Sequence, residues 1–299
     1  MSSLKGSFLL FILLQLFLFI PSPVLASDII DSWTQDSPLT QPIANHPSFS
    51  FGNYLYTLGG STSDDFSLIQ RLDIFSSGPS RIWSHISDLN EPLYWHAAIL
   101  KSNRAYTIGG TQYPPQTSVN SSKSATINGS GTISLWIPTT PLPQRLSKGV
   151  AAISGNYIYF AGGWTDSEGV GSASNKVYYA PINLDGTLGS WNTTTDLPGV
   201  YWSHRMVESN GFLYILGGFK NGSRTSDVIR AQVNSVDGTL SGWTNMLPLP
   251  NDIESFGVVR IEDYIITVAG GSTAGLTKKV YYSQINNDGS LAGWQTSAA

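Results

Sequence analysis

The sequence predicts an all-β fold, a β-propeller of four-stranded antiparallel blades, and three observations carry that expectation. Paired glycines recur at near-constant intervals, at Gly59-Gly60, Gly109-Gly110, Gly162-Gly163, Gly217-Gly218 and Gly270-Gly271. A run rich in aromatic and aliphatic residues precedes every pair, as a buried strand requires. Tryptophan keeps the same register: Trp33, Trp83, Trp136 and Trp191 stand at one constant distance before the next pair, and Trp243 stands a single position further from Gly270. A repeat of this length holds one small sheet, which must stack on its neighbours to bury its faces.

The elements of one unit follow in order. The run before the glycines is the second strand, Tyr54-Leu55-Tyr56-Thr57-Leu58 in one copy and Phe212-Leu213-Tyr214-Ile215-Leu216 in another. The glycine pair lets the chain leave that strand in a conformation closed to residues with a Cβ and lets a neighbouring backbone come close. A third strand follows, clearest in Val177-Tyr178-Tyr179 and Val280-Tyr281-Tyr282. It ends in a turn marked by Asp185-Gly186, Asp237-Gly238 and Asp288-Gly289, with looser copies at Gly131 and Gly78; Asp-Gly supplies the positive φ values of a tight hairpin. The tryptophan shortly after that turn belongs to the outer strand, where its ring packs between adjacent sheets. The first strand of the next unit, as in His204-Arg205-Met206-Val207, completes the four.

A hydrophobic run, Gly-Gly, a tyrosine-bearing strand and a spaced tryptophan resemble the kelch repeat, and the resemblance extends over residues 33 to 294. It implies kelch-like blades and leaves activity open, because kelch proteins range from scaffolds to enzymes. Five blades are expected, with Trp33 and Trp294 at the closing edge; a six-bladed ring with one partial blade is the alternative. The kelch-fold copper oxidases depend on a Cys cross-linked to Tyr. This chain has no cysteine, so that chemistry is excluded, and no cofactor is implied.

Lys5, a mostly apolar stretch from Phe8 to Ile20 and small residues near Val24-Leu25-Ala26 read as a signal peptide over residues 1–26. Residues 27–299 then form a single propeller that is secreted or periplasmic, with no membrane span after cleavage. The stretch is shorter than the roughly 20 apolar residues that cross a bilayer. Sixteen basic residues against 20 acidic ones, without a basic cluster, argue against nucleic acid as a partner. The sequons at Asn120, Asn128, Asn192 and Asn221 are about as many as composition yields by chance.

Alternating connections sort the loops of such a blade onto two faces. One face receives tight turns, such as Gly52-Asn53, Gly155-Asn156 and Asn210-Gly211. The other receives longer loops that carry Tyr94, Trp95, Tyr113, Trp164, Tyr201, Trp202 and Phe219, aromatics outside the repeated register and therefore candidate contacts for a protein or a sugar ring. Arg205 joins them as a ligand-binding candidate, and Glu91, Arg145, Lys148, Asp166, Glu168, Lys220, Arg224 and Glu254 supply charge nearby. His46, His96 and His204 share one register, each the same distance before the first glycine of a pair, and Gly149 and Gly257 occupy that position in the other copies. Imidazoles at one register invite a metal reading, but a repeat reuses positions for packing, and no metal is expected. An exported module binding a protein or glycan through the aromatic loop face is the leading expectation. A sugar-active propeller, mutarotase or lyase-like, with acid/base groups among Arg145, Arg205, Glu254 and His204, is the rival. An assembly unit that self-associates through its terminal strand is the third.

Overall fold

The computed structural model describes residues 35–61, 66–75, 81–165 and 171–297. The signal-peptide expectation, Trp33, Gly78, Asp166 and Glu168 lie outside them. The described residues contain no helix and hold five four-stranded antiparallel sheets. From inside outward, the first is Ser48–Phe51, Tyr54–Leu58, Leu68–Asp73 and Trp83–Asp88; the second is Ala97–Lys101, Arg104–Ile108, Ser122–Thr126 and Ile137–Thr139. The third is Val150–Ser154, Tyr157–Ala161, Val177–Pro181 and Asn192–Thr193. The fourth is Arg205–Ser209, Phe212–Leu216, Val228–Gln232 and Thr244–Asn245, and the fifth is Gly257–Ile261, Tyr264–Ser272, Gly275–Gln284 and Gln295–Thr296. These are kelch-like propeller blades, and the innermost strands of all five sheets line one cavity.

Sheets stack through both faces, so the second strands are mostly apolar on both sides and the second and third strands supply most of the buried core. Tyr56, Leu58 and Ile69 of the first sheet pack on Ala105, Ala125 and Ile127 of the second. Tyr106 and Ile108 meet Ile158, Phe160 and Ala180 of the third. Ala152, Tyr159 and Val177 meet Leu213, Ile215 and Ile229 of the fourth, and Tyr214, Leu216 and Val228 meet Ile265, Ile285 and Leu291 of the fifth.

Directional bonds fix each stack. One tyrosine per joint donates its hydroxyl to a glycine carbonyl in the next sheet's hairpin turn: Tyr56 to Gly131 (2.9 Å), Tyr106 to Gly186 (3.0 Å), Tyr159 to Gly238 (2.8 Å) and Tyr214 to Gly289 (2.7 Å). Burial pushes the Tyr56 hydroxyl up to about 12, so these phenols are donors at any physiological pH. The outer tryptophans bond backward, with Trp191, Trp243 and Trp294 donating indole N–H to the carbonyls of Thr140, Thr195 and Leu247. The paired glycines sit at the joint itself. Gly162 has φ of +61°, and a Cβ there would stand 2.6 Å from the Tyr201 carbonyl oxygen of the next sheet.

The fifth copy departs from the expected register. Ala269 (φ 55°) and Gly270 (φ 117°) take the two joint positions, whereas Gly271 has no positive φ. The ladder shifts between Val268 and Gly270. The repeat therefore ends on Ala269-Gly270 rather than Gly270-Gly271, which restores the tryptophan spacing, because Trp243 stands as far before Ala269 as Trp191 does before Gly217.

Candidate functional site

The site is built where the blades cross onto the loop face. A residue two or three positions before each innermost strand is left-handed in every sheet: Asn45, Trp95, Lys148, Ser203 and Ser255 have φ between 52° and 59°. None is glycine, and this region costs a residue with a Cβ about 1 kcal/mol or more. A belt of backbone bonds holds them there. Trp95 N–H donates to Asn45 O, Lys148 to Trp95 O and Ser203 to Lys148 O, each at 2.9 Å, and Ser255 donates to Ser203 O at 3.4 Å. Beyond the kink the ladders resume as short ribbons: Leu93–Tyr94 with Thr111–Gln112 and Thr117–Ser118, Trp164–Thr165 with Ser172–Ala173, and Tyr201–Trp202 with Phe219–Lys220 and Ser223–Arg224.

The ribbons bring together four of the expected aromatics. Trp202 stacks on Phe219 with centroids 5.0 Å apart and planes 4° apart, and meets Trp164 edge-on at 5.1 Å. Lys148 Nζ lies 3.8 Å from the Trp95 centroid and 5.9 Å from that of Trp164, linking the two rings. Arg224 caps the other end, 5.3 Å from Phe219, with Glu254 Oε1 3.4 Å from its guanidinium. Trp95, Trp164, Trp202 and Phe219, all half-buried, thus form one arc across the second, third and fourth sheets. Tyr113 stands apart from it, 45% exposed and packed on Phe66 at 4.8 Å.

Two expected contact residues are corrected. Tyr94 and Tyr201 are buried and support the arc from beneath. Tyr94 is wedged between Phe66 (5.5 Å) and Trp95 (4.7 Å). The Tyr201 hydroxyl donates to Asp227 Oδ2 at 3.0 Å, which also takes Lys220 Nζ at 2.6 Å; burial first, then that carboxylate, raise its pKa. Alternation along a two-residue ribbon turns one ring inward for each ring turned outward.

The axial cavity, about 540 Å³, lies below the arc. Asn45, His46, Trp95, His96, Lys148 and Arg205 contribute polar groups to its wall, and among the described residues no carboxylate lines it. Arg205 is held by its own surroundings, donating Nε to Phe256 O at 2.6 Å and Nη1 to His204 O at 3.0 Å. Burial pushes its guanidinium down to about 10, with Glu254 acting the other way, so it stays charged at neutral pH. Glu91 is occupied by Lys123 (3.1 Å) and Ser121 (2.8 Å), and Arg145 is exposed.

The histidines share a packing position. The Cβ atoms of His46, His96 and His204 press against Gly60, Gly110 and Gly218 of their own sheets, and Phe256 rather than Gly257 is the fifth-sheet equivalent. His96 and His204 are buried, and desolvation pushes each down to about 3. They are neutral packing groups at physiological pH. Among the described residues, no three His, Cys, Asp or Glu side chains converge as a metal site would require.

No family model matches the chain. It is similar to Kelch-like protein 38 of Mus musculus, 26% identical over 48% of this chain and 23% of that protein. A putative F-box/kelch-repeat protein of Arabidopsis thaliana is 34% identical over 28% of this chain and 25% of its own. The kelch repeat and BTB domain-containing protein 1 of cowpox virus is 28% identical over 69% of this chain and 36% of its own. All three carry kelch in their names, in keeping with the repeat that builds the five sheets. This is a kelch-repeat chain.

The kelch-repeat chain spans between 23% and 36% of the length of these relatives. Phe66, Phe256 and Asp227 contact residues of the candidate site and were not singled out by the sequence. Phe66 meets the criterion that selected Tyr113, an aromatic shortly after a glycine pair. Asp227 had no such signal, because only the fold sets it beside Lys220 and Tyr201.

Proposed function

We propose that this kelch-repeat propeller is a binding module for a protein partner, with the Trp95–Trp164–Trp202–Phe219 arc as its contact surface. The observation that carries this reading is the arc itself: large, half-buried rings outside the blade register, stacked on one another along the short ribbons. Aromatic anchors held in place contribute most of the energy of a protein interface. Lys148 adds charge between Trp95 and Trp164, and Arg224 with Glu254 gives the arc a polar end that sets orientation. The axial cavity has no carboxylate among its described lining residues, so its wall offers no carboxylic acid/base pair for sugar chemistry.

The test compares wild type with the Trp95→Ala, Trp164→Ala, Trp202→Ala triple variant, both shown folded by circular dichroism. A partner captured from the native source by the wild type, shown to bind directly with purified components, should lose at least ten-fold in affinity to the variant. Equal affinity for both would reject the arc. Loss of binding on a glycan array, with no protein partner, would move the ligand class to sugars. We also read residues 1–26 as an export signal; a fusion of this segment to a reporter that stays inside the cell would reject that reading.

A further inference from the structure

Four joints between the five sheets are built alike, and the one between the fifth and the first is not. At each of the four, the second glycine donates its N–H to the next sheet's entry segment: Gly60 to Leu93 O, Gly110 to Leu146 O, Gly163 to Tyr201 O and Gly218 to Ile253 O, at 2.7 to 2.8 Å. That segment donates twice in return to the loop after the glycines: Leu89 and Leu93 to Ser67 and Phe66, Leu142 and Leu146 to Asn120 and Val119, Leu197 and Tyr201 to Asn175 and Ser174, and Leu249 and Ile253 to Ser226 and Thr225. The tyrosine clasp and one link of the mouth belt complete each joint.

At the fifth sheet every one of these parts is changed. Ile266, paired with Tyr282 as Tyr214 is with Arg230, stands where the clasping tyrosine would be. Ala269 replaces the first glycine, at a position where a Cβ in the other four sheets would lie 2.3 to 2.6 Å from the next sheet's carbonyl oxygen. The loop that would receive the return bonds is shortened to a hairpin closing at Ser272 and Gly275. Among the described residues, no backbone bond joins Asn45 to Ser255 to close the belt, and none joins Gly270 to the first sheet. The innermost strand reports the consequence. Val259 and Ile261 are 44% and 52% exposed, whereas the equivalents of Val259 are 2% and 8% exposed in the third and fourth sheets (Ala152 and Val207) and half-buried in the first and second (Phe49 and Ile99).

We infer that the fifth-to-first joint is a built-in opening of the ring, at which the wall of the axial cavity separates while the other four joints move as one packed arc. Local opening follows the lowest density of buried contacts and bonds, and that minimum lies here. The inference is independent of which face binds a partner, since its readouts concern the ring alone.

The chain's lack of cysteine makes the test clean. Spin labels on Ala44→Cys and Leu276→Cys span the seam, and labels on Ser223→Cys and Leu276→Cys span the fourth-to-fifth joint with one site in common. The distance distribution across the seam should be at least about twice as wide as the control; equal widths would overturn the inference. A second measurement installs the missing joint. Tyr214→Phe with Gly217→Ala should lower the urea midpoint, while Ile266→Tyr with Ala269→Gly should raise it no further than Ala269→Gly alone, which only relieves the left-handed backbone at that position. A further rise as large as the first pair's fall would show that a receiving carbonyl and turn already stand beyond the fifth sheet, and would sink the inference.

Discussion

Gly162 shows how a single atom decides the stacking of two sheets. Its left-handed φ and the 2.6 Å approach of the Tyr201 carbonyl to a Cβ built there act together, so Gly162→Ala should cost about 2–4 kcal/mol. Equilibrium urea unfolding measures it, and a loss below about 0.5 kcal/mol would contradict the close approach. Tyr159 secures the same joint from the other end through its bond to the Gly238 carbonyl. Tyr159→Phe keeps the ring and removes only the donor, leaving a buried carbonyl unpaired, and should cost about 1–3 kcal/mol. Phenylalanine at Ile266 should cost nothing of this kind, because no clasp exists there.

The ribbons are the elements that convert a scaffold into a surface. Each is only two or three short strands, and a lone pair of strands is marginal in water, so the rings that stack on them also hold them. Trp202→Ala removes the stack on Phe219 and the edge contact with Trp164 and should cost about 1–2 kcal/mol. The four-stranded sheet beneath should keep its protection in hydrogen exchange, with faster exchange confined to residues 201–202 and 219–224. Exchange that spreads into Phe212–Leu216 would show that the ribbon and blade are one cooperative unit. These boundaries were only partly legible beforehand. Aromatics outside the tryptophan register pointed to the loops that carry the ribbons, but the alternation that buries Tyr94 and Tyr201 depends on where each two-residue ribbon begins. Pairing partners beyond the next two strands decide that, Thr111 for Tyr94 and Lys220 for Tyr201.

At the scale of the whole molecule, acid is the condition that opposes the fold. His96 and His204 are held neutral in the folded state with pKa values near 3, against about 6.5 when unfolded. Their folded values are depressed, so the unfolded chain binds more protons below pH 6.5. Stability is therefore complete above about pH 6.5 and falls as pH drops from there toward 3, by about 1.4 kcal/mol per pH unit for each histidine. His46, lowered in the same direction by burial, adds to the trend. Urea midpoints measured from pH 7.5 to 4 should show this slope, and His96→Gln with His204→Gln should flatten it even if overall stability drops. An unchanged slope in the double variant would assign acid sensitivity to other groups.

The strands, the turns and the four regular joints follow from the sequence alone, because each depends on residue types within a few positions of one another: apolar alternation, Asp-Gly, paired glycine, a tryptophan at constant spacing. The family resemblance rests on the same short-range signals. What only the tertiary structure decided is everything that depends on neighbours a whole repeat away along the chain. It placed Trp95, Trp164, Trp202 and Phe219 in one arc, set Asp227 against Tyr201, and moved the last joint from Gly270-Gly271 to Ala269-Gly270. The reason is that a ring of stacked sheets writes each blade's interior into its own sequence, but leaves exposure, charge pairing and closure to the faces that other blades present.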